Sequence, residues 1–249
     1  HGPGRGSGNS ISVLLDAWEL TKEDRYLNKA EELIRRVVHP AQNIEELDLL
    51  NAEYRWSYTV CLTSCARYLA KMDEAGRRGL MYDYVRRTLR HFGRWMLEHE
   101  RPTLSHPDGL EFVTEAWAAQ EFRKANVLRI AASCCDDSDE ATQMRNRADE
   151  LNDAAWQDLY SFGDKHLTAR CFSIVMTEGL RDVFHRRNRV HVTSVADESA
   201  AFGQWSMFVS QRTRVKQLLK SPRQWLSVVP RLCSVSRWLR TLDALRRRI

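Results

Sequence analysis

Apolar residues in this chain return at the three- and four-residue spacing of a helix face, segment after segment, separated by short polar breaks. Ile11, Leu14, Leu15 and Trp18 fall on one face of a helix over 10–20, with Asn9 or Ser10 available to cap it. The break Thr21-Lys22-Glu23-Asp24 follows, in which Thr21 and Asp24 have the spacing of a capping box with Asp in place of Glu. Tyr26, Ala30, Leu33 and Val37 then mark a second helix, which Pro40 ends. The same grammar predicts helices over 56–72 and 80–99, and again over 114–135 and 140–159, the last preceded by the capping run Asp136-Asp137-Ser138-Asp139. Three helix–break–helix units of roughly 40–50 residues are the mark of a helical array.

β alternation is confined to 189–193, too short to build a sheet. The predicted fold is therefore all-α: stacked antiparallel helical hairpins. The body is expected over 1–180, followed by a basic helical extension over 181–249 packed on the same domain. That extension holds 15 Lys and Arg against 4 Asp and Glu, whereas the preceding residues are mildly acidic. It is expected to contain a helix over 200–219 and a further start at Ser221-Pro222. Beyond that start Trp225, Leu226, Val229, Leu232, Trp238, Leu239, Leu242 and Leu245 alternate with Arg, and Pro230 bends the segment. A basic amphipathic segment of this kind packs on its own protein or touches an anionic membrane surface. The acidic body and the lack of a recognised motif argue against a nucleic-acid partner.

Six cysteines (Cys61, Cys65, Cys134, Cys135, Cys171 and Cys233) lie mostly among apolar residues with no C-x-x-C pair. They are expected to act as small buried hydrophobes, which favours a reducing, cytoplasmic compartment. No signal peptide and no run of membrane-spanning length is visible. A chain opening His1-Gly2-Pro3-Gly4 without Met reads as a fragment or a processed product.

The stretch LLDAWELTKEDRYLNKAEELIRRVV, residues 14–38, resembles a hairpin of α/α-toroid carbohydrate-active enzymes such as six-hairpin glycosidases and toroid polysaccharide lyases. The likeness is clear over about 25 residues and looser over about 160, and it marks architecture rather than activity. It implies a toroid or partial toroid, three or four hairpins being fewer than a full ring. It also implies a cleft at the end where the first helix of each hairpin begins. Three distinctive segments precede those helices: His1 to Asn9, Glu53 to Tyr58, and Glu111 to Trp117.

The first segment is glycine-rich, and its backbone N–H groups can hold an anion or simply form a turn. It is neither a P-loop nor a dinucleotide fingerprint. The others pair acids with aromatics, a combination suited to stacking on sugar rings and binding their hydroxyls. The candidate catalytic residues are Glu53, Tyr58, Glu115 and His1. Arg5, Asn9, Arg55, Trp56, Glu111, Trp117 and Gln120 are the candidate substrate-binding residues. Two carboxyls such as Glu53 with Glu111 or Glu115 would serve hydrolysis. Tyr58 or His1 as base, with Arg5, Arg55 or Asn9 neutralising a uronate carboxylate, would serve β-elimination. The expected ligand is an anionic saccharide, with no cofactor and no metal. A non-catalytic helical-repeat binding module is the competing expectation, in which the ligand binds without turnover.

Overall fold

The computed structural model describes residues 2–163, 168–181, 183 and 202–203. They are all-helical: α1 (Arg5–Thr21), α2 (Asp24–Val37), α3 (Ala52–Arg55), α4 (Tyr58–Glu74), α5 (Leu80–His99), α6 (Glu115–Ser133), α7 (Ser138–Ser161) and α8 (Thr168–Ile174). A π-helical turn, Val175–Gly179, follows α8 directly. No strand occurs among the described residues. The segment 189–193 and everything from Ser221 onward lie outside them, as does the helix expected over 200–219 apart from Phe202 and Gly203.

Side-chain pairs fix the direction of each helix against its neighbours. Ser12 meets Ser64 at 3.0 Å, Arg67 donates to Asp16 at 3.2 Å and Lys71 reaches Glu19 at 2.6 Å, so α1 and α4 run parallel, side by side. Tyr82 donates to Asp73 at 2.9 Å, while Trp95 packs edge-on against Tyr58 with ring centres 6.3 Å apart, so α5 returns antiparallel to α4. Arg86 on α5 donates to the Cys134 carbonyl just past the end of α6, at 2.7 Å, which makes α6 antiparallel to α5. Arg129 with Asp149 at 2.5 Å, and Phe122 against Trp156 at 5.0 Å, set α7 antiparallel to α6. Helices α1, α4 and α6 therefore point one way, and α5 and α7 the other.

Glycine permits the approach of α1 to α4. A Cβ on Gly8 would stand 2.8 Å from the Val60 carbonyl oxygen and 2.9 Å from the Cys61 nitrogen, both backbone atoms of α4. Ser64 fills the remaining gap by donating to the Gly8 carbonyl at 2.8 Å. This packing corrects the expectation of a glycine-rich loop: α1 begins at Arg5, and residues 5–9 are its opening turns. Glycine is a poor helix former, but tertiary contact overrides propensity where only hydrogen fits. Asn9 and Ser10 lie inside the helix and do not cap it; Ser7 does so, accepting the Gly4 N–H and donating to the Gly4 carbonyl. The expected Thr21–Asp24 capping box is also replaced. Thr21 closes α1 by donating to the Ala17 carbonyl, Glu23 is the N-cap of α2, and Asp24 accepts from the Trp18 indole at 3.3 Å and from Arg77 at 2.7 Å. Asp137 caps α7 as expected, accepting from the N–H groups of Asp139 and Glu140.

The main core runs through α1, α2 and α4–α7, and a smaller one joins Ala116 and Ala119 of α6 to Cys171 and Ile174 of α8. Cys61, Cys65, Cys134, Cys135 and Cys171 are buried free thiols. No helix among the described residues is long and apolar enough to cross a membrane.

Near the end of α2, His39 accepts the Ala41 N–H at Nδ1 (3.0 Å) and donates from Nε2 to the Gly203 carbonyl (3.3 Å), a pairing that needs the neutral ring. Phe202 is buried beside it, edge-on to Tyr84 and under Arg87. Burial lowers the His39 pKa below its usual 6.5, and repulsion from His91 and Arg35 adds to that against the Gly203 bond.

Two outcomes follow. Gly8→Ala is expected to lose about 1–3 kcal/mol of stability in urea unfolding despite alanine's better helix propensity, because a methyl meets backbone rather than a movable side chain. A neutral or stabilising effect would mean the helices do not approach so closely. The depressed His39 pKa means the folded state binds fewer protons than the unfolded one, so its contribution is complete above the unfolded value and is lost as pH falls from about 6.5 towards the folded value. His39→Gln should flatten the fall in thermal midpoint over that range.

Candidate functional site

Helix α6 differs from its neighbours in what it buries. Glu115, Gln120, Glu121, Lys124, Asn126 and Arg129 are all buried, interleaved with Ala116, Ala118, Ala119, Phe122 and Ala125. Polar groups withdrawn from water must find partners or forfeit several kcal/mol. The partners come from α4, from α7, from the link after α5, and from the π-turn.

The first set lies deep. Lys124 Nζ pairs with Glu100 Oε2 at 2.8 Å and with Glu121 Oε2 at 3.2 Å, and it donates to the Arg101 carbonyl at 3.1 Å and the Thr103 hydroxyl at 3.0 Å. Thr103 in turn donates its N–H and hydroxyl to Glu121 Oε1, at 3.0 and 2.6 Å. Tyr58 completes the set by donating to Glu100 Oε1 at 2.5 Å. Burial alone would pull the Lys124 ammonium down, but the two carboxylates outweigh it and hold its pKa above the ordinary lysine range. Burial raises Glu121, and burial together with the Glu100 charge raises Tyr58 well above a free phenol.

The second set lies nearer the surface. Trp56, half-buried just after α3, has the Arg123 guanidinium 5.5 Å from its ring centre and that of Arg170 at 6.0 Å. Arg123 Nη1 donates to Gln120 Oε1 at 2.8 Å, and its Nε stands 3.6 Å from Glu178 Oε1. Arg170 is exposed and has no carboxylate partner among the described residues.

The sequence-derived candidates are dispersed between these sets and solvent. Trp56 and Gln120 are brought together through Arg123. Tyr58 is buried on Glu100, turned into the deep cluster. Glu115, the first residue of α6, is buried near Cys171, whose thiol is raised by burial and then by the Glu115 charge. Glu53 is half-buried in α3, and its Oε2 has no hydrogen-bond partner among the described residues. Trp117 is half-buried and donates to the Phe112 carbonyl at 2.9 Å. Arg5, Asn9, Arg55 and Glu111 face solvent. His1 lies outside the described residues. The first two segments do adjoin: a Cβ on Gly4 would lie 3.7 Å from Ser57 Oγ. No group of His, Cys, Asp and Glu among the described residues has the arrangement of a metal site.

Glu100, Glu121, Arg123, Lys124, Arg170 and Glu178 were not singled out from the sequence. A signal was present for three of them: Gln120-Glu121-Phe122-Arg123-Lys124 places charge on every side of a helix whose alanines demand close packing all round. Glu100, Arg170 and Glu178 carry no comparable local mark. No family model, curated protein or solved structure matches the chain.

Replacing one member of the deep cluster strands the others. Lys124→Met is expected to cost about 3–5 kcal/mol, because two buried carboxylates lose their cation. Adding Glu100→Gln and Glu121→Gln should restore most of that loss in chemical unfolding. Additive losses across the three substitutions would show that the groups do not act as one unit.

Proposed function

We propose that this chain is a binding module, an arc of helical hairpins of α/α-toroid type, that holds an acidic saccharide without turning it over. The observation that carries the proposal is the half-buried Trp56 indole with Arg123 and Arg170 beside it, near the end where α1 and α4 begin. An indole face suits a sugar ring, and a guanidinium takes a carboxylate through two parallel hydrogen bonds. Arg123 already has Gln120 and Glu178 as partners, so Arg170 is the arm left for the ligand. The positive ends of the parallel α1 and α4 add modestly to the attraction for an anion.

Binding is favoured over elimination or hydrolysis by the state of the candidate acids and bases. Tyr58 is buried and bonded to a carboxylate, and burial opposes its ionisation, so it is poorly suited to take a proton from a substrate. Of the carboxyl pairs that would serve hydrolysis, Glu53 with Glu111 or Glu115, Glu53 is half-buried in α3 and Glu111 faces solvent, while Glu115 is buried at the start of α6 and so closed to a polymeric substrate.

Titration with polygalacturonate, followed by calorimetry, tests the proposal. Trp56→Ala and Arg170→Gln are each expected to weaken binding about tenfold, the scale of a partly desolvated stacking or guanidinium contact. No ultraviolet-absorbing unsaturated product should form. Undiminished affinity in both variants would place the ligand elsewhere, and unsaturated product would establish a lyase.

A further inference from the structure

The π-helical turn at Val175–Gly179 has a consequence for the Trp56 site. Turns of this kind interrupt the regular hydrogen bonding of a helix and are frequent at functional sites. The side chain brought inward here is that of Glu178, only 7% exposed among residues that otherwise face solvent, such as Met176 and Leu180. Asn126 of α6 grips it twice, donating to its main-chain oxygen at 2.8 Å and to its carboxylate at 3.2 Å. Asn126 is wholly buried, and its Oδ1 has no hydrogen-bond partner among the described residues. An amide placed there purely as filling would be a costly choice. Its use is the hold on Glu178.

Glu178 passes that hold outward. Its Oε1 stands 3.6 Å from Arg123 Nε, and Arg181 Nη1 donates to Oε2 at 3.1 Å. Gln120 fixes the other side of the Arg123 guanidinium at 2.8 Å. Arg123 stands against both the Glu178 carboxylate and the Trp56 ring, while Arg181 pairs with the carboxylate and Arg170 lies over the ring. Burial pulls Arg123 below its ordinary value, Glu178 opposes that pull, and Arg170 and Arg181 reinforce it. Without the carboxylate, like charges would drive Arg123 off the indole.

We propose that Glu178 is the positioning residue of the Trp56 site: gripped by Asn126, it holds Arg123 beside the indole and leaves Arg170 to the ligand's carboxylate. The inference rests on the binding proposal for its ligand, polygalacturonate, but not for its geometry.

Two measurements on the full chain separate the parts. In the first, polygalacturonate is titrated into wild type, Glu178→Gln and Arg123→Lys. Charge alone predicts that Glu178→Gln binds the polyanion more tightly, since a negative group has gone. Positioning predicts the opposite, a loss of about fivefold to tenfold, with a similar loss in Arg123→Lys, which keeps the charge and loses the planar fork. Tighter or unchanged binding in Glu178→Gln, or wild-type binding in Arg123→Lys, would overturn the proposal. In the second, with no ligand present, the Arg123 Nε–H resonance is followed by NMR. It should carry a Trp56 ring-current shift that disappears in Trp56→Ala and is largely lost in Glu178→Gln. A shift unchanged in Glu178→Gln would overturn the positioning role even if the polymer binds. Failure of wild type to bind polygalacturonate would sink the binding proposal while this second result still decided the role of Glu178.

Discussion

One ammonium group, Lys124 Nζ, sits where the link after α5 and helices α4 and α6 come together. Through Glu100 it holds the residue that ends α5 and, by way of Tyr58, the first residue of α4. Through Glu121 and Thr103 it holds the link that leads into α6. An apolar core does not discriminate among helix registers related by a small slide, because burial is non-directional. A buried ammonium with four oxygen partners does, since any slide leaves a charge unpaired. Such clusters add little net stability over well-packed apolar groups, and their use lies in fixing arrangement.

The same helix that carries this cluster carries Gln120, Arg123 and Asn126 on its other aspects. Their placement against Trp56 and the π-turn depends on the register that Lys124 sets. Gly8 and Gly93 do for distance what Lys124 does for register. A Cβ on Gly93 would lie 2.4 Å from Ala131 Cβ and 3.2 Å from Met144 Sδ, so α5, α6 and α7 meet where only hydrogen fits. The Trp56 cluster is in this sense a surface product of constraints placed deeper in the bundle.

Much of the fold was legible in the sequence and much of the site was not, for different physical reasons. Helix α5 was readable to the residue, because a break near Gly76 precedes it and Arg101-Pro102 follows it. The start of α1 was missed because Gly6 and Gly8 read as turn formers, and the use of Gly8 became visible only once the Val60 backbone lay against it. Aromatic residues near helix starts stand out in the sequence, but sequence cannot say whether Trp56 or Tyr58, two residues apart, points outward. The structure puts Trp56, in the turn between α3 and α4, against arginines, and Tyr58, the first residue of α4, in the core. Glu178 was invisible because its inward aim comes from a π-turn, and its partners Arg123 and Asn126 lie some fifty residues away.

The claim that the buried ionic cluster on α6 organises the bundle is tested most directly by native-state hydrogen exchange. The account predicts that the amides around Glu121 and Lys124 exchange only through global unfolding, with the same free energy as that measured by denaturant, while the exposed turns of α2 exchange through smaller openings. Exchange of the α6 amides through a local opening well below the global value, with α2 better protected, would contradict it.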